Sequence, residues 1–330
     1  MNWSECRVYV TGASGIVGSW LVKNLLQEGA YVVALIHDSD PQTELFRTGT
    51  VNQIAVVNGC LENYAVQERV INEHEIDTVF HLGAQPIVST ALRNPLPTFE
   101  TNIRGTWNLL EACRVHKELV RRIIVASSDK AYGESDQLPY TEEMPVNGKH
   151  PYDVSKSCTD ILAMSYAHTY GLPVSIARCG NIYGGGDLNW SRIVPGTILS
   201  LIKNQRPIIR SDGKFIRDYI YVEDVVSAYM SMAVAVQSSD LHGQAFNFSP
   251  ETKVTVIEIV KTIQKLMGRM DLDPEILDKV KFEIRDQYLD SGKARRLLNW
   301  TPQHSLEQGL TKTITWYRSY FSRKTYEVAK

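Results

Sequence analysis

Residues 6–18 read CRVYVTGASGIVG: a short β-branched run, then glycines at positions 12, 15 and 18, then the start of a helical apolar pattern. A tight turn, close approach of backbone to a pyrophosphate and close helix-strand packing each require a missing Cβ. A helix opening directly after the strand also aims its free N–H groups at phosphate. With 21 glycines in 330 residues, this spacing arises by chance roughly 0.1 times. Gly12, Gly15 and Gly18 therefore predict a dinucleotide site on a strand-turn-helix unit.

The same rhythm continues outward. YVVALIH, NQIAVV, TVFHLGA, RRIIVASS and PVSIARC read as strands, with helical patterns between them, among them stretches near 97–116 and 152–170. Such alternation is the signature of βαβ units on a parallel sheet covered on both faces, and right-handed crossovers leave a doubly wound, Rossmann-like α/β fold as the simplest topology. Residues 1–180 are expected to form the dinucleotide-binding domain. Residues 181–330, looser in pattern after the Gly-rich GNIYGGGD, form a smaller mixed α/β substrate lobe. Segments near 218–248, including the helix at 223–236 and the strand AFNFS, are expected to return to the main sheet.

Bulk properties remove several function classes. With 35 basic and 37 acidic side chains the net charge is -2, far from the basic footprint of a nucleic-acid binder. Cys6, Cys60, Cys113, Cys158 and Cys179 are scattered without C-x-x-C spacing, which argues against a disulfide framework or a zinc site. The eight histidines form no pair at ligand spacing, so no metal is expected and His81 reads as a strand-end structural residue. No apolar run reaches the roughly 18 residues of a membrane span. A soluble cytoplasmic protein is the expectation.

An acidic residue near the end of the second strand would accept hydrogen bonds from the ribose hydroxyls of NAD and repel the 2′-phosphate of NADP. Asp38 stands there, slightly late and beside His37, which favours NAD and leaves NADP possible. Asp38 also reads equally well as a turn residue in DSDP.

At the other end of the site lie Tyr152 and Lys156, four apart in YDVSK and so on one helix face. An ammonium near a phenol favours the phenolate and brings its pKa of about 10 towards working pH. Such a tyrosine removes a hydroxyl proton while hydride leaves the adjacent carbon. The spacing alone decides little: 16 tyrosines and 16 lysines give about 0.8 chance matches. Tyr320 with Lys324 and Tyr326 with Lys330 are two such matches in a polar tail. Tyr152 differs by context, because it follows the strand RRIIVASS, whose end carries Ser127 and Ser128 into the crevice where open α/β sheets bind ligands.

Together TGASGIVG, HLGAQ, TNIRGT, the paired serines, YDVSK, RCGNIYG and RDYIYVEDV resemble the extended short-chain dehydrogenase/reductase family that acts on nucleotide sugars, from about residue 6 to about residue 317. By that resemblance Ser128 would bond the reacting sugar oxygen, Tyr152 would be the base and Lys156 would hold the nicotinamide ribose. Ile16, Leu61 and Asn102 would join the glycines and Asp38 on the cofactor side. Gln85, Asn181, Arg192 and Arg217 would face the sugar nucleotide. The chain departs from the family at NGCLEN, where Cys60 stands in place of an acidic adenine contact.

SSDKAYG, residues 127–133, bears on the reaction. A hydroxyl residue followed by an acid and a base is similar to the CDP-glucose 4,6-dehydratase group. With C4 oxidised, the hydrogen on C5 becomes acidic; a neutral Lys130 would remove it and Asp129 would protonate the departing 6-hydroxyl. If Asp129 and Lys130 are only a surface turn, the resemblance implies a C4 epimerase or 4-ketoreductase instead. A non-catalytic dinucleotide sensor is the alternative of another class.

Guanidinium groups suit a diphosphate, which makes Arg192, Arg217 and Arg285 phosphate candidates, the last read as ending a strand. The helices near 97–116 and 153–170 carry Trp107, Leu109, Leu110, Ile161, Leu162 and Met164 beyond one narrow apolar stripe. In the resembled family two such helices build a four-helix bundle between subunits, so a homodimer is expected.

Overall fold

The computed structural model describes residues 1–279 and 283–328, with side chains as far as Ser322. Lys330 and the side chains of Lys324 and Tyr326, named above for their spacing, lie outside the described residues.

Seven parallel strands form the main sheet: β1 (Arg7–Thr11), β2 (Tyr31–Ile36), β3 (Ala55–Asn58), β4 (Thr78–His81), β5 (Arg122–Ala126), β6 (Val174–Cys179) and β10 (Ala245–Phe248), in the order β10-β6-β5-β4-β1-β2-β3. After β3 the chain crosses back to place β4 on the other side of β1. That reversal opens a crevice at the carboxyl ends of β1 and β4.

Alternation along each strand sends successive side chains to opposite layers. Val8 and Val10 pack with α1 (Ile16–Gln27) and α9 (Val222–Ala235) through Leu21, Leu25, Val225 and Tyr229, while Tyr9 joins Leu109, Leu110 and Val79 on the other face. That second face is covered by α3 (Tyr64–Glu73), α6 (Gly105–Val115) and α7 (Pro151–Tyr170). Pro151 opens α7 at a position where its missing N–H costs nothing, and Gly171 closes it with φ +69°. Leu109 and Leu110 are thus core residues, unlike the exposed Trp107, Ile161 and Met164.

The expected helix near 97–116 is divided. Past α2 (Glu44–Arg47), α4 (Val88–Arg93) and α5 (Pro95–Phe99), a π-helical turn over Glu100–Arg104 precedes α6. The carbonyl of Asn102 in that turn accepts from the Thr106 and Thr159 hydroxyls at 2.5 and 3.1 Å. Hydroxyls that compete for a helical carbonyl in this way widen a turn.

The second half of the chain also forms β7 (Asn181–Tyr183), α8 (Ile193–Ile202), β8 (Ile208–Ile209), β9 (Ile216–Tyr221), β11 (Lys253–Thr255), α10 (Val256–Met267), β12 (Glu275–Ile276), α11 (Gly292–Leu298) and α12 (Leu306–Val328). They form a three-stranded sheet, β11-β9-β7, and a two-stranded one, β12-β8. Arg285 does not end a strand. It lies in an irregular strip, residues 283–290, that is tied to β9 by side-chain bonds and one bridge, Ile216 to Asp286, instead of a ladder. No helix among the described residues is long and apolar enough to cross a membrane.

Candidate active site

The cofactor end is a cradle that side chains would fill. Gly12 turns the chain with φ +71°, and a Cβ there would meet the Gly83 backbone at 2.7 Å; one on Gly18 would collide with the Gly12 carbonyl. Gly15 caps α1 and Ile16 is its first residue, so the helix N-terminus opens onto bare backbone. This arrangement fits a pyrophosphate. Leu61 is buried against Gly83 and Gly105. Asp38 follows β2 with its side chain 87% exposed, 3.8 Å from His37. Cys60 offers its carbonyl to Gln67 at 3.1 Å.

Asn102 is buried and engaged with protein: its amide nitrogen donates to Ser155 Oγ (2.9 Å) and the Gln85 carbonyl (3.2 Å), and its oxygen accepts from Gln85 N (2.7 Å). It therefore locks the β4 loop to α7. Gln85 keeps one atom, Nε2, buried without an acceptor among the described residues. His81 is wedged between Thr11 (2.9 Å) and Thr106 (3.0 Å), and burial pulls its pKa down to about 3, which leaves a neutral structural ring.

The reacting end gathers where β5 stops. Ser128 caps a short turn, Asp129–Tyr132, while α7 brings Tyr152, Lys156 and Asp160 to the same place at intervals of four. Burial pushes the Tyr152 phenol up to about 12; the Arg192 guanidinium and a hydrogen bond with Ser128 pull it down, and Asp129 and Asp153 oppose them. Lys156 donates to the Ala126 carbonyl at 2.7 Å, and burial lowers its pKa to about 8, with Asp160 acting in the opposite direction. Arg192 is thus one cation that acts on the phenol, while Lys156 is drawn towards the end of β5.

Asp129 is buried. Its Oδ1 accepts from Ser128 Oγ at 3.0 Å and faces Lys130 Nζ at 3.7 Å, and its Oδ2 has no partner among the described residues. Lys130 donates to Gln287 Oε1 at 3.1 Å. Sequence reasoning missed Gln287, which comes from the far end of the chain and has no motif of its own.

Asn181 opens β7, half-buried opposite Tyr219 of β9. Arg192 precedes α8 and pairs with Asp187 at 3.0 Å, its side chain 36% exposed. Arg217 is buried, its guanidinium held by the carbonyls of Ile216, Ile284 and Arg285 and by Glu283 Oε1 at 2.6–2.9 Å. Arg285 is exposed and contributes its backbone to that grip.

Beneath the serines lies a polar network that the sequence reading passed over. Asp160 accepts from Ser127 and from Arg178 (2.8 Å), Arg178 donates to Tyr132 (2.8 Å), and Tyr132 donates to Asn247 (2.7 Å). A buried pair of this kind is sustained only when its remaining valences are filled, and here it fixes the backbone that carries Ser127 and Ser128. The signal was present: Asp160 continues the Tyr152, Lys156 interval by one more turn.

Known proteins resemble this chain over nearly its whole length. A CDP-glucose 4,6-dehydratase from Salmonella typhimurium is 29% identical, with 96% of this chain and 92% of that protein aligned. A dTDP-glucose 4,6-dehydratase from Streptomyces venezuelae, solved with NAD bound, superposes with a TM-score of 0.85 at 25% identity, over 95% of this chain and 97% of that one. A UDP-glucose 4-epimerase from Thermotoga maritima, solved with UDP-glucose, gives 0.85 at 28% identity, over 95% and 99%. The family model described as GDP-mannose 4,6 dehydratase matches residues 9–313. With its glycine cradle, its phenol and lysine on one helix and its doubly wound sheet, the chain belongs to that family, within the extended short-chain dehydrogenases/reductases.

Proposed function

We propose that the protein is a 4,6-dehydratase acting on a nucleoside-diphosphate hexose with NAD, a lyase like its CDP-glucose relative. The observation that carries this reading is the turn Ser128-Asp129-Lys130, whose hydroxyl, acid and amine converge beside the Tyr152 phenol. NAD in the glycine cradle supplies a hydride acceptor for C4 and a donor for C6.

Tyr152 takes the proton from the 4-hydroxyl, whose oxygen Ser128 holds. Because burial raises the phenol to about 12, positive charge at the site is what brings it into range; Arg192 provides some, and Lys156, one turn along the helix, holds the ribose side. Oxidation makes the C5 hydrogen acidic. Lys130 receives that proton in its neutral form, and Asp129 gives one to the leaving 6-hydroxyl. The unpartnered Oδ2 of Asp129 is the oxygen left for the task. A solvent-exchanged proton returns from Lys130 to C5 as C6 is reduced, so one water leaves and the cofactor would end as it began.

Arg192, with an exposed face, is suited to the diphosphate as it stands, while Arg217 reaches it only by exchanging its carbonyl partners for phosphate oxygens. Gln85 and Asn181 line the approach on the sugar side. A C4 epimerase is the second reading, favoured by the likeness to the Thermotoga enzyme; it needs no counterpart of Asp129 or Lys130.

Incubation with a panel of nucleoside-diphosphate hexoses in heavy water, without added reductant, separates the two. A dehydratase takes one deuterium into the product at C5 and releases one water. An unlabelled product inverted at C4 would overturn the reading.

A homodimer through α6 and α7 also belongs to this proposal. Trp107, Ile161 and Met164 are 41%, 55% and 44% exposed on these helices, more apolar surface than a solvated face needs. Five free thiols suit a reducing, cytoplasmic setting.

A further inference from the structure

Outside the Ser128–Lys130 turn, the Lys130 amine donates to the side chain of Gln287, 157 positions away. Gln287 is 1% exposed. Its Oε1 accepts from Lys130 Nζ at 3.1 Å, and its Nε2 lies on the side of the Tyr140 hydroxyl, short of hydrogen-bond geometry. That hydroxyl donates to the Gly133 carbonyl at 2.6 Å. Turning the amide over would set its N–H groups against an ammonium, so the neighbours fix which way it points.

The backbone on both sides is tied down as well. Gln287 N donates to the Ile216 carbonyl (3.1 Å), Asp286 Oδ1 accepts from Ile216 N (3.1 Å), Leu289 N donates to Asp218 Oδ2 (3.2 Å), and Tyr140 N donates to the Tyr288 carbonyl (2.9 Å). Lys130, by contrast, is a long flexible side chain that faces Asp129 at 3.7 Å and Asp153 across the site. Both carboxylates draw the ammonium away from any one place, and a neutral acceptor on a rigid strip holds the nitrogen without adding charge that would retain its proton.

We propose that Gln287 is a positioning residue for Lys130, setting the amine at the distance from C5 that water loss requires. The proposal rests on the reading of Lys130 as the C5 base. The same strip holds the Arg217 guanidinium through the carbonyls of Ile284 and Arg285, so the aim of the base and the placement of that arginine share one scaffold.

Rapid-quench mass spectrometry tests this on the full-length, NAD-loaded enzyme, with the hexose that the heavy-water panel finds to be turned over. In Gln287→Leu, formation of the 4-keto hexose, two hydrogens lighter than substrate, stays within about twofold. Its conversion to the dehydrated sugar slows about tenfold to a hundredfold, the range a misplaced catalytic group costs, so the 4-keto hexose accumulates. Deuterium entry at C5 falls by the same factor. Gln287→Glu, of the same shape, slows water loss too, because a carboxylate opposite the amine retains its proton. Equal slowing of both steps, or of neither, overturns the proposal. Lys130→Met is the reference: if it leaves water loss intact, the base assignment itself fails, whereas a slow Lys130→Met beside a normal Gln287→Leu sinks only the positioning role.

Discussion

Single residues set the chemistry through their surroundings. Tyr152→Phe removes one oxygen from a buried ring and leaves the packing intact, so turnover is expected to fall by about 10²–10⁴, the usual worth of a general base. Steady-state rates beside an unchanged melting temperature check this. Asp218 is a different case. It is fully buried on β9 with Oδ1 unpartnered among the described residues, and burial raises its pKa from 3.8 to about 7, against the hydrogen bonds from Ser249 and Leu289 N. A raised folded-state pKa contributes stability that is fully present below about pH 4 and lost as pH rises through 7, a swing on the order of 4 kcal/mol. Asp218→Asn is therefore expected to raise the melting temperature at pH 8 and to lose that advantage at pH 4. A gain of the same size at both pH values would contradict it.

Elements explain which part of this was legible in the sequence. The first strand, turn and helix could be read because every requirement there is local: Gly12 needs a positive φ, and Gly18 needs room beside the Gly12 carbonyl. Gly18→Ala is expected to cost about 1–3 kcal/mol through overpacking and to weaken NAD binding, measurable by calorimetric titration together with thermal melts. The four-residue interval that puts Tyr152 and Lys156 on one helix was readable for the same reason, as was its extension to Asp160. The π turn over Glu100–Arg104 was not, because it arises from Thr159, a hydroxyl on another helix that claims the Asn102 carbonyl. Gln287 and the grip on Arg217 were hidden likewise. They are products of an irregular strip, and its register against β9 is set by contacts with no period for a pattern to reveal.

At the scale of the whole molecule, the parallel sheet followed from the alternation of strands and helices, and the seven strands confirm the doubly wound reading. The apolar residues of α6 and α7 divide into two sets. Leu109 and Leu110 face the sheet, while Trp107, Ile161 and Met164 face outward. Charge placed on the outward set, as in Ile161→Glu with Met164→Glu, is expected to convert a dimer to monomer in sedimentation at micromolar concentration with little change in secondary structure. A parent protein that sediments as a monomer would end the dimer proposal. A last consequence concerns synthesis. The strand that covers β6 is β10, which leaves the ribosome only after β7, α8 and β9 have been made. Until then β6 presents a bare hydrogen-bonding edge, the kind that recruits foreign strands, so the nascent chain is most vulnerable to mispairing between the emergence of residue 179 and that of residue 248.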